Sequence, residues 1–136
     1  MPKHQLARSP ITWLLAAGIA VLPLACDDDH DQAEGVPTES VCPTTPTLTY
    51  ASFGQAFFAG YCQRCHASTV TGLARMGAPT DHTFDTVEQI RSMSDHIDEH
   101  AAAGPAAVNT EMPPDAPTPT EAERRQLGEW LACGAP

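Results

Sequence analysis

Cys62-Gln63-Arg64-Cys65-His66 is the stretch whose reading decides the fold. Two thiols three positions apart lie on one side of a helical turn, where each can form a thioether with one vinyl group of a haem. The histidine that follows then sits beneath the iron and supplies an imidazole nitrogen. A bare C-x-x-C has two other readings. A dithiol redox pair belongs in a βαβ pattern, and half of a zinc site needs a second ligand pair at matched spacing. Neither setting surrounds residues 62–66, whose flanks read as helical. The motif therefore predicts one covalently bound haem, held by Cys62 and Cys65, with His66 as proximal ligand.

The start of the chain points to the matching compartment. Lys3 and Arg8 precede an apolar run from Ile11 to Ala25, which is short for a spanning helix and reads as an export signal. It ends in Leu22-Pro23-Leu24-Ala25-Cys26, followed at once by Asp27, Asp28, Asp29 and Asp31. This boundary resembles a bacterial lipoprotein signal, which implies lipidation of Cys26 and anchoring on the periplasmic side of a membrane, inner or outer. An ordinary signal peptide cleaved nearby would leave Cys26 free. Both readings export the protein.

Of the five cysteines, lipid takes one and haem takes two. Cys42 and Cys133 remain, and in an exported protein two leftover thiols are expected to pair. The organisation that follows is a leader over 1–25, a flexible acidic tether rich in Pro and Thr over 26–47, and one small domain over 48–136. Such a short domain has a thin core of its own, and a haem wrapped by helices would supply its centre.

Three helices are expected in that domain. The first runs from about Tyr50 to Cys62, with Phe53, Phe57 and Tyr61 recurring every four residues and Phe58 alongside. The second is expected from Asp85, capped with Glu88, to about Ala103, turning Val87, Ile90, Ser94, Ile97 and Ala101 inward before Gly104-Pro105. The third begins at Thr120 with Glu123 as its capping partner, carries Leu127, Trp130 and Leu131 on one face, and stops at Gly134. Strand signals are absent, so the fold class is all-α.

These features together resemble a small class I c-type cytochrome of the kind found in bacterial exported lipoproteins. The resemblance covers about 50–136. It implies a cytochrome c-like bundle around one haem, with the first and last helices in close contact through Gly54, Phe58 and Trp130. It also implies a second axial ligand from a methionine before the last helix, which Asn109-Thr110-Glu111-Met112-Pro113-Pro114 fits. Met112 is therefore the expected distal ligand. Met76, Met93 and His82 are its rivals, as are His96 and His100, which are expected on a solvated helix face. The family often has a proline whose backbone supports the proximal histidine, and Pro79 loosely corresponds. Arg64, Arg75 and Arg91 could pair with haem propionates, but each is expected to be a surface charge.

Charge bears on partners. The chain carries a net charge of −10, and both leader cations leave with the signal, so five arginines face seventeen carboxylates. Such a surface repels nucleic acid and favours a redox partner with a basic or neutral docking patch. The reading that results is a membrane-tethered carrier of single electrons. No nucleophile–base pair or phosphate-binding loop occurs in the sequence. Two alternatives remain: a haem enzyme or sensor for peroxide or a diatomic gas, with an open or labile sixth position, and a haem-free structural lipoprotein.

Overall fold

The structure, a computed structural model, describes residues 35–136. Four helices account for its regular structure. Among the described residues the only β pairing is a single antiparallel bridge between Ala103 and Val108, so the fold is all-α. No helix among these residues is long and apolar enough to cross a membrane. The leader and the expected lipidation at Cys26 lie outside the described residues.

Helix α1 covers 50–66 without interruption and extends one turn further than its apolar pattern indicates. Thr49 caps it in a reciprocal box with Ser52. Two of its turns are π-helical, Tyr50–Gly54 and Phe58–Cys62, closed by the amides of Gln55 onto the Tyr50 carbonyl and of Gln63 onto the Phe58 carbonyl. A π turn is wider than the 3.6 residues of an α turn, so it holds a four-residue repeat closer to one face. The aromatic stripe uses this. Phe53 and Phe57 lie 5.3 Å apart between ring centroids, and Phe57 and Tyr61 lie 5.1 Å apart.

Helix α2, Val87–Ser92, starts one residue later than expected, because Thr86 and Gln89 form the capping box in place of Asp85 and Glu88. The Gln89 side-chain oxygen accepts from the amides of both Asp85 and Thr86. The expected single helix to residue 103 is broken at Met93. The Ser92 hydroxyl donates to the Gln89 carbonyl at 2.8 Å, and the Met93 amide turns to Ile90 instead. This is the local competition by which serine disrupts a helical ladder. Helix α3 then runs Ser94–Ala101 with Ile97 and Ala101 buried.

Helix α4, Glu121–Ala132, begins where expected, with Thr120 and Glu123 capping each other. It buries Leu127, Trp130 and Leu131, and the chain turns away at Gly134 with φ of 78°. Its contact with α1 is the expected one. A Cβ built on Gly54 would lie 2.7 Å from Trp130 Cζ2, while Trp130 packs edge-on against Phe53 at 6.0 Å and contacts Phe58 at 6.1 Å. Tyr61 also donates to the Glu123 carboxylate at 2.9 Å. Gly54→Val should therefore cost about 2–3 kcal/mol through overpacking against a ring with no room to retreat. A melting temperature equal to that of the wild type would contradict this packing account.

Residues 35–42 differ from the tether reading. Thr38 is fully buried. Its amide and hydroxyl donate to the Asp98 carboxylate at 2.8 and 2.6 Å, and its carbonyl accepts from Ala106 at 3.0 Å. The segment fits against Gly104 and Gly128, whose missing side chains leave room for Thr38 and Ser40. Cys42 and Cys133 are disulfide-bonded, as the cysteine count led us to expect. The segment docks through hydrogen bonds, glycine gaps and one covalent link. Its lack of buried apolar residues made it read as linker; Thr38 is its one fully buried residue, and the chain is exposed throughout 41–47.

Candidate haem-binding cleft

The end of α1, the loop after it, one side of α3 and the loop before α4 enclose a predominantly apolar cleft of about 240 Å³. Cys62, Cys65 and His66 line it, and so does Met112. The second π turn of α1 runs directly into the C-x-x-C-H and ends at Cys62. Such turns are frequent at functional sites because they reset which face a side chain occupies.

His66 is the best-defined member. Its Nδ1 lies 2.9 Å from the His82 carbonyl oxygen. A carbonyl oxygen accepts only, so Nδ1 carries the proton and Nε2 keeps its lone pair for a metal. Burial lowers the His66 pKa below the ordinary imidazole value; the His82 carbonyl opposes this, and the nearby Arg75 and His82 charges add to it. The ring is thus favoured in the neutral form that ligation requires. It stacks on Phe84 at 4.8 Å, and the Phe84 amide donates back to the His66 carbonyl at 2.9 Å. The supporting carbonyl belongs to His82 and not to a residue beside Pro79, which corrects the loose family correspondence.

The loop that carries His82 is organised by Arg75, which is buried and not the surface charge expected of it. Its guanidinium donates to five carbonyls, those of Ala67, Val70, Ala78, Pro79 and His82. The backbone has wound around the cation in a wide turn, and Gly77 with φ of 89° lets it close. Arg91 is likewise committed to backbone, donating to the Ala135 carbonyl. Neither arginine is left for a propionate.

Arg64 differs. It pairs with the Asp115 carboxylate and donates to the carbonyls of Asp115 and Ala116, so it joins the C-x-x-C-H to the loop after Met112. Its buried Nε has no hydrogen-bond partner among the described residues. An unsatisfied buried donor beside an apolar cleft suits a group that brings its own carboxylate.

The two motif cysteines are free thiols. Burial pushes the Cys62 thiol up to about 12, with Arg124 and Arg64 pulling weakly the other way. A dithiol redox pair depends on a lowered pKa that exposes a thiolate nucleophile near neutral pH. The Cys62 environment does the reverse, which counts against that reading.

Met112 is partly exposed on a loop tied to its surroundings on both flanks. Its amide donates to the His100 carbonyl at 3.0 Å, and Pro113 behind it is buried. Among the rivals, Met76 also lines the cleft, whereas Met93 packs against the core at the break between α2 and α3. The expectation of a solvated His96 and His100 is overturned, because both line the cleft together with His82. Their rings form a chain, with His82 and His96 4.8 Å apart and His96 and His100 4.4 Å apart. The reason is helical phase. Each histidine immediately precedes an inward residue of α3, Ile97 or Ala101, and the break at Met93 turns that flank toward the cleft. Burial, and then the neighbouring His100, His82 and His66, lower the His96 pKa. His100 Nδ1 contacts the Glu111 carboxylate at 2.6 Å.

Arg124 had no role in the sequence reading and is buried behind the Met112 loop. A guanidinium in the middle of an amphipathic helix gives no warning in periodicity that it points inward.

No family model, curated protein or solved structure matches this chain. Among the described residues no cluster of three His, Cys, Asp or Glu side chains is arranged to hold a bare metal ion.

Proposed function

We propose that the chain is a mono-haem c-type cytochrome that carries single electrons, exported and tethered to a membrane through Cys26. One observation carries the reading: two free thiols, an imidazole whose Nδ1 is engaged and whose Nε2 is not, and Met112 line the same apolar cleft. Cys62 and Cys65 would hold haem c as thioethers, and His66 Nε2 and Met112 Sδ would be the protein ligands to its iron. The bound group would supply a ferric–ferrous couple that accepts and releases one electron.

The protein's own residues prepare that site. Phe57, Phe58, Phe84 and Ile97 exclude water and lower the local dielectric, which weighs on the potential. The His82 carbonyl fixes the His66 tautomer, and Arg75 fixes the His82 carbonyl. The Nε of Arg64 offers a donor to a propionate. Were His66 and Met112 both to ligate the iron, no position would remain for substrate, and the group would serve electron transfer in preference to oxygen or peroxide chemistry. The acidic surface directs docking toward a partner with a basic or neutral patch around its own redox centre, and away from nucleic acid.

A second reading of the sixth ligand has an observation behind it, since His96 and His100 also line the cleft. The ligands differ in softness. A thioether favours ferrous iron and raises the potential relative to imidazole. Optical spectra with a redox titration of the haem-loaded chain distinguish them. The wild type should be low-spin with a methionine-to-iron charge-transfer band. Met112→Ala should lose that band and lower the midpoint potential by about 60 mV for each tenfold preference of the sulfur for ferrous over ferric iron. A band and potential unchanged in Met112→Ala would assign the position to another ligand. High-spin features in the wild type would favour the enzyme or sensor reading instead.

A further inference from the structure

Arg124 is 3% exposed and sits on the inner face of α4, pointing at the base of the Met112 loop. A single nitrogen, Nη1, lies within hydrogen-bond distance of three carbonyls, sharing its two hydrogens among them: Ala101 at the end of α3 at 2.7 Å, Asn109 at 2.9 Å and Met112 itself at 2.7 Å. The acceptors belong to the two elements that flank the cleft on this side. The loop has a second tie at its start. The Asn109 side-chain nitrogen Nδ2 donates to the Val36 carbonyl at 2.7 Å and the Asp98 carbonyl at 2.8 Å. These bonds leave the backbone of residue 112 held while its side chain stays free of it.

Burying a cation is costly, and hydrophobic side chains fill such positions at lower cost. Among the described residues no carboxylate pairs with Arg124, and its hydrogen-bond partners there are backbone oxygens. The guanidinium is therefore spent on fixing a loop, and the residue whose carbonyl it fixes is the expected axial ligand. We propose that Arg124 is the positioning residue for the distal ligand, clamping the Met112 backbone so that its sulfur stays on the haem iron against competing ligands. The inference rests on the assignment of Met112 in the proposed function. The lever is pre-organisation. A loop held at its own carbonyl loses little freedom when its side chain coordinates, and a loop released from that bond loses more.

Competition by free imidazole for the ferric haem reads this directly, alongside the methionine charge-transfer band, in the haem-loaded full chain. Hydrogen bonds from a charged donor are individually strong enough that releasing the clamp in Arg124→Met should let imidazole bind roughly tenfold more tightly or better. The band should weaken, with thioether haem content unchanged. Arg124→Lys, which keeps charge and donors on a shorter reach, should fall between the two. If Arg124→Met does not accumulate, Arg124→Gln is measured in its place with the same expected direction. Leu127→Ala, a core truncation on the same helix, controls for loss of stability alone and should leave imidazole affinity within twofold of the wild type. The proposal is overturned if Arg124→Met keeps the band and its imidazole affinity, or if Leu127→Ala shifts that affinity equally. A wild-type spectrum without the band would overturn the methionine assignment itself, and so separates that failure from a failure of the clamp.

Discussion

Replacing both motif thiols, Cys62→Ala with Cys65→Ala, is expected to reduce covalent haem from one per chain to none and to abolish the reduced-minus-oxidised spectrum. The other two cysteines among the described residues are already bonded to each other, so no thiol there can substitute. The effect should reach the fold. Phe57, Phe58, Phe84 and Ile97 line the cleft and are at most 5% exposed; an unfilled void beside them forgoes the contacts that a large apolar group would make. A single replacement should leave one thioether and an intermediate stability. Retention of stoichiometric, denaturant-resistant haem in the double variant would show that the cleft does not bind in the way described.

Breaking the Cys42–Cys133 bridge is the second large effect. The two cysteines are 91 residues apart, and in the chain-entropy model a loop of that size is worth up to roughly 4–5 kcal/mol. Small domains hold about 5–15 kcal/mol in total. Cys42→Ser with Cys133→Ser should therefore lower the melting temperature by roughly 15–30 °C, since each kcal/mol moves a domain of this size by about 4–8 °C. The bridge also holds the 35–42 segment against α3 and α4. Amide exchange at Thr38, slow while it donates to Asp98, should accelerate more than exchange at the centre of α4. Equal melting curves with and without reductant would contradict the stabilising role.

What was legible in the sequence has a common physical character. Thr120 with Glu123, Gly54 with Trp130, and the four-spaced aromatics of α1 are local or pairwise signals whose partner is implied by the residue type. The cysteine pairing followed because compartment and arithmetic left one combination. What escaped was the use of polar side chains to build backbone shape. Arg75 gathers five carbonyls and Arg124 gathers three, and no periodicity records a carbonyl. Ser92 breaks a helix whose apolar pattern is continuous, and the break carries His96 and His100 from an expected solvent face to the cleft. The Asp85–Glu88 cap lost to Thr86–Gln89 by one residue, two boxes of equal quality read at adjacent registers. Residues 35–42 looked like tether because they dock by hydrogen bonds and small-residue gaps, which hydropathy does not weigh.

The two arginines also give the cleft a logic that the motif alone lacks. Arg75 secures the side that orients His66, and Arg124 secures the side that presents Met112. Arg64 spans the two by joining the C-x-x-C-H to Asp115 and Ala116. A site whose ligand-bearing backbone is held in advance would need little rearrangement on gaining or losing an electron, as the proposed carrier role requires.

The proposed function stands on one haem bound covalently through Cys62 and Cys65. The full chain, expressed with a haem-maturation apparatus, is stripped of non-covalent haem by acid–acetone and weighed by mass spectrometry, with the labelled peptide then sequenced. A mass increase of one haem per chain is expected, located on the peptide containing residues 62–66. A chain that emerges at its unmodified polypeptide mass, with Cys62 and Cys65 still free thiols or bonded to each other, would contradict it.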